Sequence, residues 1–508
     1  MAEDEPTLKS PKTPKKAPLG LRRRHVLIGA GAAAGGLAVT RVLGLHHLGG
    51  DLPNLGLPGQ PTASPTVATV DWISPLDKSE AQIAHLLRRA TFGATTAEYQ
   101  QAVKDGFKKT VDRLVETPAA EPPALAGAEE ASQDKPINPQ NLIAWWVDWM
   151  LRSPTPFAER MTFFWHGHFT SDFRKVNLQT PFIYWQNLTW RRNALGSLRD
   201  FLYQVTVDPG MLRYLDLGTS TGRAPNENYS RELMELFTMG VGSYSEDDVR
   251  SGAKALSGWR EPLTQSMYDA LAKRAQEQGR PAPRVQPDSA KTGIFEAQRA
   301  YQGGVTFLGV TKQWDTRGVL DQILAQDVVA PFIVTKVLRE FVTDQPDPGY
   351  VKRLADGFRK SKYDIKSLMR DVFMSAEFVA PTTYRALVKS PTELMIHTTK
   401  ALGLGQQPQL TRGLAVAGNG MGQALFDPPE VGGWPSNASW ISSNNVLERV
   451  NFAQVTLTGM PKIPSFKDAH LTHLDGVVSP ATAQLLASSP DDATRWLILL
   501  ASPEFQLK

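Results

Sequence analysis

The sequence predicts a mainly α-helical protein: one large multi-helical globular domain with minor short β elements. Three observations carry that expectation. Apolar residues recur at i, i+3 and i+4 spacing in one segment after another from residue 81 onward. Strand and helix patterns do not alternate regularly, and no internal repeat is visible. A chain of 508 residues, 41% hydrophobic and 21% charged, has ample material for a sizeable core.

The elements follow in order. Residues 81–90 carry helical spacing. Residues 118–139 are rich in Ala, Pro and Glu and read as a surface loop insertion. Residues 141–151 hold Trp145, Trp146 and Trp149, an aromatic stripe that reads as core rather than as a cofactor box. A helix over 249–256 is capped by Ser245, favoured at its positive end by Glu246, Asp247 and Asp248, and stopped by Gly258. Residues 261–300 are polar with little periodicity and read as a second loop insertion. A run at 305–308 fits a small strand. Helical pattern returns over 331–342, 350–358, 365–378, 391–402 and 436–452.

The N-terminus points to export. A polar Lys/Pro-rich tail (1–20) leads to Arg22-Arg23-Arg24 and then to a soft Gly/Ala-rich apolar run. That order is the grammar of a twin-arginine signal peptide or signal-anchor over 21–45. The run is shorter than the roughly 20 apolar residues of a membrane-spanning helix. A Pro/Gly/Ser/Thr linker (46–70) joins it to the domain at 71–508. The expected location is periplasmic, cell-surface or extracellular. The expected partner is the twin-arginine export machinery, and an uncleaved N-terminal segment would tether the chain to the membrane. The formal net charge of +4 lies partly in the N-terminal tail, so no field remains to steer nucleic acid, and no nucleic-acid partner is expected. The chain has no cysteine, which excludes disulfides, zinc–thiolate sites and a cysteine nucleophile.

Three segments could carry chemistry. In Trp165-His166-Gly167-His168-Phe169 the two imidazoles lie about 200° apart if helical. They point alike if the chain is extended, and Gly167 makes a helix end conceivable there. The pair suits a divalent metal or acid–base work; the alternative is two structural histidines. In the second segment, residues 226–240, Asn226 caps a helix and Gly240 ends it. Asn228, Arg231, Glu232 and Glu235 share one face, with Tyr229, Leu233, Leu236 and Phe237 opposite. Glu232 and Glu235, with Arg231, are the candidate catalytic groups. Glu232 would also complete a metal site with His166 and His168. The same face could equally be solvated and laced by ordinary i, i+4 pairs. The third segment, residues 425–435, is an irregular Pro/Gly loop around Trp434, followed by Trp440. These two tryptophans and Asn228 are the candidate substrate-binding residues. P-loop, dinucleotide-binding, His-Glu-x-x-His and Gly-x-Ser-x-Gly signatures are absent.

These segments, with His85-Leu86-Leu87-Arg88-Arg89-Ala90-Thr91-Phe92-Gly93, resemble the bacterial family called domain of unknown function 1800. Its Trp-His-Asn-His-Phe is similar to residues 165–169. Its Asn-Glu-Asn-Tyr-Ala-Arg-Glu-Leu-Leu-Glu-Leu-His-Thr-Leu-Gly is similar to residues 226–240. The resemblance implies a helical, commonly exported protein and supplies no activity. Gly167 stands for the family's Asn, Phe237 for a His, and Tyr301-Gln302 for a His-Asp pair. If those positions hold ligands in relatives, this chain lacks part of the set. Two functions stay open: an exported enzyme, a metal-assisted hydrolase or oxidase using His166, His168, Glu232 and Glu235, or a non-catalytic surface module that binds a glycan or a secreted partner.

Overall fold

The computed structural model describes residues 73–283, 287, 290–405 and 408–508. The tail, the twin-arginine segment, the linker and the start of the domain near residue 71 lie outside the described residues. The rest is mainly helical, with two antiparallel two-stranded sheets among the described residues. One apolar cluster runs through the chain from Leu86 to Phe505.

Helix starts follow local chemistry. Thr95, Ser245 and Ser390 each close a reciprocal capping box with the acid three residues on, Glu98, Asp248 and Glu393. Asn138 caps Pro139–Arg152, with proline in the first turn; of the aromatic stripe, Trp146 and Trp149 are buried in the core as expected, while Trp145 is only half-buried. That helix packs on Pro408–Gly420.

Helix Pro156–His168 lies at the centre, buried on nearly every side. Its sequence is apolar around the whole circumference, which suits a helix without a solvent face. Most of its buried polar residues therefore find partners. Glu159 takes both Nε and Nη2 of Arg191 at 2.8 Å and the indole N–H of Trp146. The Thr162 hydroxyl donates to the Ala158 carbonyl at 2.8 Å.

The loop at 118–139 is irregular as expected, yet Ala128, Ala131 and Ile137 tuck into the core. The insertion at 261–300 is not simply a loop. It folds helix Gln265–Glu277 and supplies Ile294–Phe295, which pairs with Trp259–Arg260. The helix has no buried residue, so its sequence carries no apolar stripe; the Thr264 cap starts it instead. Strand Val305–Phe307 forms a hairpin with Val310–Lys312. No single described helix is long and apolar enough to cross a membrane.

Gly93 sits at a close approach. Its φ is +89°, and a Cβ there would lie 2.3 Å from Cδ2 of His397. Gly93→Ala is expected to cost about 1–3 kcal/mol through backbone strain and overpacking. Urea unfolding checks this; a loss below about 0.5 kcal/mol would mean that His397 yields freely.

Candidate functional site

The three segments converge on the C-terminal end of the central helix. The helix continues through Gly167 to His168, so the two imidazoles take different sides. His166 packs between Trp146, Phe426 and Trp434, with ring centroids 4.8, 5.0 and 5.1 Å away. Its Nε2 accepts the backbone N–H of Phe426 at 3.1 Å, which places its proton on Nδ1. Burial pushes its pKa down to about 3. His168 turns toward Phe237, where its Nε2 donates to the backbone carbonyl at 3.0 Å. Its Nδ1 has no partner among the described residues. Burial, then the charge of Lys336, holds it well below the usual imidazole range.

The carbonyl that His168 uses belongs to the second segment, which winds more loosely than an α-helix. After Asn228–Glu232 the chain takes a π-turn over Leu233–Thr238, with the Met239 N–H reaching Met234 O, five residues back, at 2.7 Å. Gly240, at φ +81°, stops it. Tyr229, Leu233 and Phe237 are buried, while Leu236 is half-buried. The polar face points away from the histidines. Arg231 forks onto Glu246 at 2.7 and 2.8 Å and reaches Glu227 at 3.4 Å. Glu235 accepts the Tyr244 hydroxyl at 2.6 Å. Asn228 donates to Asp216 at 3.2 Å. Glu232 is half-buried, and burial followed by Glu235 raises its pKa against Arg231.

The third segment clamps the helix end. Gly433, at φ +96°, comes so close that a Cβ would lie 2.6 Å from the Gly167 carbonyl oxygen. Thr170 donates to Val431 O, and the Phe173 N–H donates to Phe426 O at 3.0 Å. A Cβ on Gly167 would meet nothing within 4 Å, so glycine is not required there. Trp440 is buried in the same wall.

Beside this junction lies a cavity of about 320 Å³, within the size range of small-molecule sites. His168, Trp434 and Trp440 line it, with Lys336, Arg339 and Lys508. Helix Val329–Phe341 presents Lys336 and Arg339 there, while Val334, Val337 and Leu338 hold it in the core. The acids of the wall, Glu340 and Glu393, are already neutralised. Arg160 contacts both, at 2.8 Å for Glu393. Lys508 Nζ reaches Glu393 at 2.5 Å and Glu340 at 3.5 Å. Burial pushes the Glu393 carboxyl up, but Lys508 and Arg160 outweigh it and hold it below the usual carboxylate range. Lys336 and Arg339 have no carboxylate partner among the described residues. Lys336 lies over the Phe332 ring, 5.1 Å from its centroid, and burial followed by Arg339 lowers its pKa. The indole N–H of Trp434 is buried without an acceptor.

The structure thus joins His168, Trp434 and Trp440 around one space, with His166 behind Trp434. It does not bring Glu232, Glu235, Arg231 or Asn228 to that space. The expected meeting of both histidines with the acidic helix face is corrected: both Nε2 atoms are engaged by backbone groups, and the glutamates point elsewhere. Among the described residues, no three His, Asp or Glu side chains are grouped to hold a metal ion. Sequence reasoning missed Lys336, Arg339, Glu340, Glu393 and Lys508. One signal was available: three charges within five residues, Lys336 to Glu340, on an otherwise apolar helix.

Fold and site together define a mainly helical protein whose buried ion cluster backs a cationic cavity. The chain belongs to the family described as Protein of unknown function (DUF1800), whose model matches residues 85–507. No curated protein and no solved structure matches it.

Proposed function

We propose that this chain is an exported binding module whose cavity takes a small molecule bearing an anionic group. One observation carries the reading: Lys336 and Arg339 face the cavity uncompensated, because Glu340 and Glu393 are held by Arg160 and Lys508. A carboxylate or phosphate there would receive charge-assisted hydrogen bonds from both. The aromatic and apolar wall (Phe163, Phe164, Trp440) suits the organic remainder of the ligand. The export half rests on the order of basic tail, paired arginines and Gly/Ala run. The hydrolase or oxidase reading needs His166, His168 and a glutamate to converge, and nothing in the geometry favours it.

Titration calorimetry with phosphate, citrate and galacturonate, each at low and high salt, tests the proposal. Arg339→Gln is expected to weaken the best anion about 10- to 100-fold, as the loss of a charged hydrogen bond worth about 1.5–3 kcal/mol requires. Salt should weaken the wild type more than the variant. Equal binding by both proteins, or none by the wild type, would remove this reading.

A further inference from the structure

Lys336 is an unusual lysine for a helix surface. Its natural partner, Glu340, lies one turn on at i+4, the spacing of an ordinary helical ion pair. Glu340 is instead drawn to Arg160 and Lys508. Arg339 on the same helix acts on Lys336 as a like charge. From the central helix it faces His168, which is neutral and adds no counter-charge. The aliphatic stem is half-buried, the amine sits over an aromatic ring, and the residue lines a cavity that a small molecule can enter. Desolvation beside a second cation is the arrangement that makes a lysine amine nucleophilic near neutral pH.

We propose that Lys336 is a reactive amine that condenses reversibly with an aldehyde or ketone whose carboxylate or phosphate is held by Arg339. The proposal rests on the anion-binding reading of the same cavity and adds a covalent step to it. The lone pair on Nζ forms a bond to the carbonyl carbon, and an amine proton passes to the carbonyl oxygen. The carbinolamine then loses that oxygen as water to give the imine. No electron is gained or lost, and water reverses the sequence. Arg339 remains charged while Lys336 loses its proton, so anchor and nucleophile are separate residues.

The test uses the full chain with pyridoxal phosphate as an anionic aldehyde and pyridoxal as its unphosphorylated counterpart. Cyanoborohydride traps any imine, and peptide mass spectrometry reads the label at each lysine. Lys336 is expected to label at least about tenfold faster than the median lysine at pH near 7.5, since Arg339 in the same cavity holds the aldehyde's phosphate beside its amine. It should prefer the phosphorylated aldehyde, and Arg339→Gln should abolish that preference while leaving the other lysines unchanged. Labelling of Lys336 at the rate of surface lysines overturns the proposal. If phosphate still binds in calorimetry in that case, only the covalent step fails. If phosphate neither binds nor protects Lys336, the cavity reading fails as well. Arg339 is exposed, so its substitution leaves the fold intact.

Discussion

Lowering the pH from about 7 to about 4.5 is expected to unfold this protein cooperatively, because buried imidazoles that are neutral in the native state gain protons on unfolding. His85, His166, His168, His397 and His473 are all buried. Each has its pKa lowered first by burial, His166 to about 3 and His473 to about 4. Neighbouring cations add to the effect. Arg89 and Arg88 face His85; Lys336 faces His168; Lys389, Arg88 and Lys400 face His397; and Lys389 and Arg88 face His473 against the single opposing Asp475. A group whose folded pKa lies below its unfolded value stabilises the fold above the unfolded pKa, near 6.5 for histidine. That contribution is lost as pH falls toward the folded value. Each group changes stability by up to about 1.4 kcal/mol per pH unit within that window, so His166 alone removes about 2 kcal/mol by pH 5, and the other four act in the same direction. A typical domain has only about 5–15 kcal/mol to lose. Asp208 works in the opposite sense: burial raises its pKa to about 7, so its contribution is present at low pH and lost as pH rises through 7. Glu232, Asp371 and Asp427, also raised by burial, act in the same sense but are only partly buried. Urea midpoints measured by circular dichroism from pH 7.5 to 4 check the expectation; an unchanged midpoint down to pH 4.5 would refute it.

The second large effect is expected from Glu393→Gln, a loss of roughly 3–5 kcal/mol, as for other buried ion clusters deprived of one member. Glutamine keeps the shape and can still accept the Ser390 N–H, which the native carboxylate does at 2.8 Å, so the cap survives. What disappears is the charge that Arg160 and Lys508 share, and both of those residues are buried. Arg160 has little else to turn to. Its Nε and Nη1 lack partners, and its faces lie against Phe341, Phe163 and Phe92 at 5.0, 5.4 and 5.8 Å. Those stacking contacts supply only about 0.5–2 kcal/mol each and leave the charge uncompensated. Glu340 is only partly buried and takes up part of the deficit, which argues for the lower half of the range. Denaturant unfolding of the variant gives the value directly. A change within about 1 kcal/mol would show that the cluster relaxes without cost.

Much of the fold was legible along the chain. Capping residues and apolar spacing located helices such as Glu246–Ala255 and Val329–Phe341, because those signals act within one or two turns. Helix Gln265–Glu277 escaped notice because it buries nothing, and burial is what writes an apolar stripe into a sequence. The candidate site was legible only in part. Residues 165–169, 226–240 and 425–435 do meet at the end of the central helix, yet their charged members do not share a space.

Local pattern was therefore enough to establish the helical class, the family and most helix positions. Those properties depend on neighbours a few residues apart, and the sequence displays such neighbours directly. The direction each histidine faces, the neutralisation of Glu340 and Glu393, and the isolation of Lys336 and Arg339 depend on partners far away along the chain, as in the pairing of Arg160 with Glu393, 233 residues apart. Charge compensation acts through space, and one sequence does not reveal which distant side chains are close enough to take part.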